Sequence, residues 1–155
     1  MKLAIFNLGD KEYGMDIAQV REIIRLRLIT PIPETADFVE GVISLHGQVI
    51  PIVNLRVKLG IEKKELLKTN RIIVVQVNAH HVGVIVDGVT DVISLDLENI
   101  NAPDEILKEA GYLVGVAKKE RRLILIVDMD KLLSNEISSQ IQKVHEKVEL
   151  RRTEQ

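Results

Sequence analysis

The stretch over residues 38–60, FVEGVISLHGQVIPIVNLRVKLG, decides the fold of this chain. Two apolar runs flank His46-Gly47-Gln48, and they predict a β-hairpin because glycine readily adopts the positive φ of a tight turn. Pro51 has no amide hydrogen, so its place in the second run predicts a strand that lies at a sheet edge or carries a bulge. Gly60 predicts the end of a short helix over residues 55–59.

The composition predicts an aliphatic, β-rich interior, and the length fits one compact domain or two very small ones that share a core. Hydrophobic residues make up 46% of the 155 residues and aromatic residues only 3%. The core must therefore consist mainly of valine, isoleucine and leucine, and β-branched residues favour strands. The absence of cysteine excludes disulfides, thiolate metal ligands and cysteine nucleophiles, and it is typical of a reducing cytoplasm.

Charge and hydropathy limit the classes of partner. A net charge of −2 disfavours nucleic acid, because a phosphate backbone requires a basic surface. No apolar run approaches the roughly 18 residues of a membrane helix, and no secretory signal is visible. We therefore expect a cytoplasmic protein without direct membrane insertion.

The second half of the chain resembles the first at an offset of about 70 residues. Val82-Gly83-Val84 matches Tyr13-Gly14-Met15, and Leu113-Val114-Gly115-Val116 matches Val39-Glu40-Gly41-Val42. Between them, Val89, Asp91 and Val92 occupy the places of Val20, Glu22 and Ile23. Apolar alternation can produce chance similarity, but the retained glycines favour two copies of a five-stranded unit.

Two helices are predicted outside this repeat. Pro103 and Gly111 bracket a helix over residues 104–110, since proline suits a first turn and glycine follows a last one. Ser134-Asn135 can cap an amphipathic C-terminal helix within residues 134–155. The final RRTEQ is predicted to be frayed.

No motif of the chain predicts catalysis, a cofactor or a metal site. His80-His81 is predicted to be a solvated hairpin tip and not a metal site. Adjacent residues on a strand point to opposite faces, so the two histidines would not converge on one ion. Asp128 and Asp130 stand where a strand passes into a helix, and both can cap it. Phosphate loops, nucleophile elbows and dinucleotide fingerprints are absent from the sequence. We therefore expect a protein that is not an enzyme.

Apolar residues on two equivalent edges are the remaining functional signal. Val20 and Ile23 lie three residues apart in the first copy, as Val89 and Val92 do in the second. These side chains either belong to the core or line a groove that accepts a partner helix. The alternative function is a small-molecule-sensing domain that uses the groove between the two copies, which requires convergent polar groups in an apolar cleft.

Three ordered segments closely resemble the CheW family of bacterial chemotaxis coupling proteins. They are FNLGDKEYGMDIAQVREI, GVISLHGQVIPIVNLRVKLG and GVIVDGVTDVISL, and the likeness extends from residue 3 to about residue 133. The resemblance implies a mainly β fold of two interlocked SH3-like five-stranded β-barrels with short helices, forming one CheW-like domain over residues 1–133. On this expectation, barrel 1 spans about residues 15–70, and barrel 2 spans about residues 71–133 plus the N-terminal strand.

The resemblance also implies a function. Family members are non-enzymatic adaptors that join the helical cytoplasmic tips of methyl-accepting chemoreceptors to the histidine kinase CheA, in arrays at the inner face of the membrane. They bind the receptor tip in the groove between the barrels. The regulatory domain of CheA has the same fold and pairs with the adaptor barrel to barrel.

Carried over residue by residue, the resemblance selects a candidate site. Val20 and Gly41 match receptor-binding positions, Glu22 and Ile23 lie beside Val20, and Val89 and Val92 match groove-lining positions of the second barrel. Because a strand glycine permits close approach of another backbone, we expect a side chain at residue 41 to obstruct the partner.

One turn departs from the family pattern. The family usually has Asn-Leu-Arg-Gly where this chain has Ser44-Leu45-His46-Gly47. Histidine is shorter than arginine and titrates near neutrality. His46 is therefore either a pH-sensitive element of coupling or a neutral substitution at a turn tip.

Overall fold

A computed structural model describes residues 1–102 and 111–134. Within them, α1 covers Leu55–Lys58 and α2 covers Met129–Leu133, with 3-10 turns at Ile17–Gln19 and Leu97–Asn99. The strands are β1 Lys2–Leu8, β2 Lys11–Asp16, β3 Val20–Arg25, β4 Val39–Leu45, β5 Gln48–Asn54, β6 Arg71–Val77, β7 His80–Val86, β8 Gly88–Ser94, β9 Ile100–Asn101, β10 Leu113–Lys119 and β11 Arg122–Val127. The predicted helix over 104–110 and the C-terminal helix and tail beyond Ser134 lie outside the described residues.

The strands form two sheets, which confirms the mainly β prediction and is consistent with two SH3-like barrels. Sheet 1 has the order β3-β6-β7-β5-β4, and sheet 2 has the order β8-β1-β2-β11-β10-β9. β1 pairs antiparallel with β8 as β6 pairs with β3, and β11 pairs parallel with β2 as β5 pairs with β7. The repeat predicted from the sequence is therefore present in the strand pairing.

The two copies of the repeat exchange their first hairpins. The β1–β2 hairpin completes sheet 2, and the β6–β7 hairpin completes sheet 1. The expected barrel boundary near residue 71 is therefore wrong, because β6 and β7 pair with β3 and β5. The exchange interlocks the halves, since each of the two described sheets contains strands from both halves of the chain.

A shared core explains why the exchanged hairpins stay in place. Their inward side chains are fully or almost fully buried in one cluster: Ala4, Phe6, Leu8, Tyr13, Met15, Ile73, Val75, Val77, Val82, Val84 and Val86. Burying apolar area of this kind contributes about 25 cal/mol for each Å² removed from water. Separating the sheets would expose this whole surface, so the fold behaves as one unit.

Pro51 lies in an interior strand, so the prediction of an edge strand is wrong. β5 lies between β7 and β4, and its pairing with β7 begins only at Ile52. Pro51 thus stands just outside this ladder, where its missing donor costs no strand pairing with β7. The β4–β5 ladder does carry a bulge, but it lies between Val39 and Gly41 rather than at the proline.

Candidate partner-binding site

The two predicted apolar edges are the outer strands of the two sheets. β3 ends the strand order of sheet 1, and β8 ends that of sheet 2. Val20 lies opposite Val75 of β6, and Val89 lies opposite Phe6 of β1. Each ladder is irregular here, between Val20 and Glu22 in one and between Ile5 and Phe6 in the other. Both copies therefore present the same local geometry.

Burial separates the four edge residues into an inner and an outer pair. Val20 and Val89 are half-buried and pack against the shared core. Ile23 is 40% exposed and Val92 is 54% exposed. The inner pair thus holds the edge strands on the core, whereas the outer pair exposes apolar surface to solvent.

Glu22 and His46 are brought together at the open side of sheet 1. His46 has φ 50° and Gly47 has φ 77°, and Leu45 pairs with Gln48. The turn therefore contains two residues, one fewer than the sequence predicts, because Gln48 already belongs to β5. Nε2 of His46 lies 2.9 Å from Oε2 of Glu22, with the side chains 74% and 39% exposed. This contact joins the β4–β5 turn to β3, although β3 and β4 stand at opposite ends of the strand order of sheet 1.

A small cavity lies beside this contact. Its volume is about 230 Å³, and its lining residues are Arg21, Glu22, Leu45, His46, Gln48, Ile50, Val74 and His81. The Arg21 guanidinium donates to Gln76 Oε1, and Arg27 Nη1 donates to the Ser44 carbonyl oxygen at 3.1 Å. Polar side chains therefore surround an apolar floor at this end of sheet 1.

Sheet 2 is closed at the equivalent place by an arginine. Arg122 donates to both Glu12 carboxylate oxygens, Nη2 to Oε1 at 2.9 Å and Nε to Oε2 at 3.0 Å. It also donates to both carboxylate oxygens of Asp91, at 3.1 and 3.2 Å. Hydrogen bonds from Arg122 and Thr90 lower the pKa of Asp91 below its ordinary value. Asp91 occupies the place of Glu22, so both copies restrain the same edge position.

Gly41 is small for an internal reason. It is buried on β4 with φ +144°, and an added Cβ would lie 2.1 Å from the Thr30 carbonyl oxygen. The Thr30 backbone approaches because it bonds to Val42 in both directions at 2.9 Å. The backbone that requires a glycine at residue 41 is therefore that of Thr30 in the same chain.

The sequence did not reveal the ion pair between Arg56 of α1 and Asp87. The two guanidinium nitrogens Nε and Nη2 donate to the two carboxylate oxygens, Nε at 2.8 Å. Arg56 is only 8% exposed, and its hydrogen bond holds the pKa of Asp87 below the usual range. The available signal was an arginine inside the apolar run VNLRV, which indicates a buried charge in need of a partner.

The remaining polar candidates have structural positions. Asp128 caps α2 by accepting from the backbone nitrogens of Asp130 and Lys131, as predicted. His80 and His81 begin β7 directly after a two-residue turn. Within residues 1–102 and 111–134, no group of three or more potential ligands is arranged to hold a metal ion. Nor does any helix in these ranges have the length and apolarity to cross a membrane.

Comparisons with known proteins place this geometry in a family. A family model described as a CheW-like domain matches residues 2–136. The chemotaxis protein CheW of Klebsiella aerogenes is 40% identical over 134 residues, covering 85% of this chain and 81% of the relative. CheW of Thermotoga maritima is 36% identical over 133 residues, covering 83% and 84%.

A solved structure agrees with these relatives. The crystal structure of the scaffolding protein TtCheW from Thermoanaerobacter tengcongensis superposes with a TM-score of 0.81 at 35% sequence identity. The match covers 88% of this chain and 94% of that one. Fold and sequence thus agree over the same residues, and the chain belongs to the CheW family of non-catalytic chemotaxis scaffolds.

Proposed function

We propose that this chain couples the helical cytoplasmic tip of chemoreceptors to the regulatory domain of the histidine kinase CheA. It acts in the cytoplasm, in receptor arrays at the inner face of the membrane. The observation that carries the proposal is the repeated edge, in which Ile23 and Val92 are exposed beside the core-packed Val20 and Val89.

The apolar pairs suit a helical partner. An amphipathic helix presents apolar side chains three or four residues apart, and such a stripe covers apolar surface on a receiving groove. Each edge strand has one exposed branched residue, Ile23 or Val92, three residues after a valine that packs against the core. The contact area expected from so few exposed residues belongs to the transient class, below about 1,200 Å².

The kinase contact requires a different surface. We assign it to the exposed apolar ends of barrel strands, of which Leu123 on β11 is an example with 61% exposure. Leu123 and Leu125 line a cavity of about 550 Å³ together with Lys11, Arg121 and Arg122. Binding receptor and kinase on separate surfaces raises the effective concentration of each for the other.

The test is to place a charge on each exposed edge residue. Ile23→Asp and Val92→Asp should each weaken binding of a receptor-tip fragment by about tenfold or more, since a desolvated carboxylate is costly. Leu28→Asp is the matched control, because Leu28 is 92% exposed and lies outside the strands. Isothermal titration with the receptor fragment and, separately, with the CheA regulatory domain measures both affinities.

The two partners must respond differently. The proposal expects kinase affinity to stay within about twofold in all three variants, because substitutions at separate surfaces act independently. Equal loss of both affinities, with an unchanged melting temperature, would overturn the assignment of the edges to the receptor.

A further inference from the structure

Asp87 stands where the chain passes from one sheet to the other. It is the single residue between β7 of sheet 1 and β8 of sheet 2. The other passage in the described chain is the 3-10 turn Ile17–Gln19, between β2 and β3. The angle between the sheets therefore depends on two short connections and on the shared core.

The polar atoms of Asp87 are bonded to groups on both sides of the passage. On the side of sheet 2, its backbone nitrogen donates to the Asn7 carbonyl oxygen at 3.1 Å, and Oδ2 accepts from the Gly9 nitrogen at 2.7 Å. On the side of sheet 1, Oδ1 accepts from Arg56 Nε at 2.8 Å, and the carbonyl oxygen accepts from Asn70 Nδ2 at 3.2 Å. One residue thus links β1 and its turn to α1 and the start of β6.

Arg56 is itself fixed, which makes the link stiff. Its Nη1 donates to the Glu62 carbonyl oxygen at 3.0 Å, and its backbone nitrogen donates to Asn54 Oδ1 at 3.1 Å. A two-pronged guanidinium–carboxylate contact fixes direction as well as distance, unlike a single hydrogen bond. The Asp87 side chain is only 23% exposed, so water screens this contact weakly.

The other passage carries a much weaker link of the same kind. Gln19 Nε2 donates to Oδ1 of Asp128, the cap of α2, at 3.3 Å. The two links are equivalent in place, since each joins a passage to the first turn of the helix that follows β5 or β11. They differ in chemistry: one is a single hydrogen bond from a neutral amide to a carboxylate, and the other is a two-pronged, partly buried ion pair.

From this inequality we infer that Asp87 is a positioning residue that fixes the angle between the sheets, and with it the relative placement of the β3 and β8 edges. The functional part of this inference rests on the proposed scaffold function, in which one helical tip contacts both edges. When the Asp87 side chain is replaced, its two backbone hydrogen bonds, the two short connections, the Gln19 link and the core still join the sheets, but the two-pronged contact with Arg56 is lost and the angle between the two edges varies more.

The chain's lack of cysteine permits a direct test in the full protein. Ser44→Cys on β4 and Lys118→Cys on β10 are exposed strand positions, one on each sheet, and they carry a pair of spin labels. Pulsed dipolar spectroscopy then measures the distribution of distances between the sheets. We expect a single narrow distribution in the otherwise unchanged protein and a broader one after Asp87→Asn or Arg56→Lys.

Arg122→Lys is the matched control. It disrupts an ion pair of the same type whose members, on β11, β2 and β8, all belong to sheet 2. It should lower the melting temperature without broadening the distribution. An unchanged narrow distribution in both Asp87→Asn and Arg56→Lys would overturn the inference, and so would equal broadening in Arg122→Lys.

The same variants separate this inference from the scaffold proposal. Asp87→Asn should reduce affinity for the receptor fragment while leaving affinity for the CheA regulatory domain unchanged. The distances between the spin labels are measured on the free protein and do not depend on binding. If the unchanged chain bound neither partner, the proposed function would be contradicted, and the distance distributions alone would still decide the role of Asp87.

Discussion

The two sheets are closed at equivalent positions by different chemistry. In sheet 1, a histidine at a turn meets Glu22 of the edge strand, and the histidine is 74% exposed. In sheet 2, Arg122 binds Asp91 of the edge strand and also Glu12 of β2, and the arginine is only 31% exposed. Both copies thus have a polar contact at the same position of the edge strand, but the contact in sheet 2 contains more hydrogen bonds than the contact in sheet 1.

The difference has a direct physical consequence. The arginine stays charged at every accessible pH and donates to four carboxylate oxygens at once. His46 offers one nitrogen to Glu22, and a histidine carries charge only when protonated. Sheet 2 therefore has the firm edge, and sheet 1 has the edge that is more readily altered.

The largest difference between the copies should appear at their equivalent glycines. An added Cβ at residue 41 meets the Thr30 oxygen at 2.1 Å with φ at +144°, whereas at Gly115 it meets the Asn101 oxygen at 2.7 Å without a positive φ. We expect Gly41→Ala to lower the free energy of unfolding by about 4 kcal/mol and Gly115→Ala by about 2 kcal/mol. Urea unfolding measures both, and equal losses would contradict the role assigned to backbone strain.

Removing the arginine of sheet 2 should have a smaller, pH-dependent effect. Arg122→Gln should cost about 1 kcal/mol at neutral pH, because the partly exposed pair is screened by water. Arg122 lowers the pKa of Asp91 from its ordinary 3.8, so the folded state holds the charged form more strongly than the unfolded state does. This stabilisation is present above that ordinary value and is lost as the pH falls through the folded pKa.

Acid unfolding of the two proteins tests the sign. The stability difference between the unchanged chain and Arg122→Gln should be constant near neutrality and shrink at pH values below 3.8. A difference that grew on acidification would show that Asp91 is not held in its charged form by the arginine.

The smallest effect is expected at the turn of sheet 1. His46→Arg introduces the family's usual residue beside Glu22, and it should change the free energy of unfolding by less than about 0.5 kcal/mol because the site is exposed. Titration of the receptor fragment between about pH 5.5 and pH 8 separates the two hypotheses for this histidine. A flat profile in both proteins contradicts a pH-sensitive role, whereas a slope that disappears in His46→Arg supports it.

Local features of the fold were predictable from the sequence. The tight turn at His46-Gly47 followed from glycine's freedom at positive φ, and the cap at Asp128 followed from its place before a helix. The repeat was visible because the equivalent glycines 14 and 83 face Ile126 and Ile52 in parallel ladders of the same register. These signals depend on short-range geometry, which sequence patterns record well.

The family resemblance placed the N-terminal strand in barrel 2, and β1 does lie in sheet 2. The residues alone did not predict the full exchange of hairpins, because pairing within a copy and pairing between copies bury the same side chains. Alternation along β6 and β7 is satisfied in either arrangement, and only long-range packing selects one. Likewise, nothing in the sequence joins Arg56 to Asp87, which are distant along the chain and meet only at the passage between sheets. The contact between Gly41 and Thr30 was not predicted for the same reason, because a proline-containing loop separates Thr30 from β4 in the sequence.

The most direct test of the scaffold claim is whether both partners bind at once. Sedimentation velocity of this chain with a saturating receptor-tip fragment and the CheA regulatory domain should show one complex that contains all three. Neither partner should displace the other, because the repeated edges on β3 and β8 and the strand ends near Leu123 are separate surfaces. Displacement of the kinase domain by the receptor fragment, with only binary complexes formed, would contradict the account.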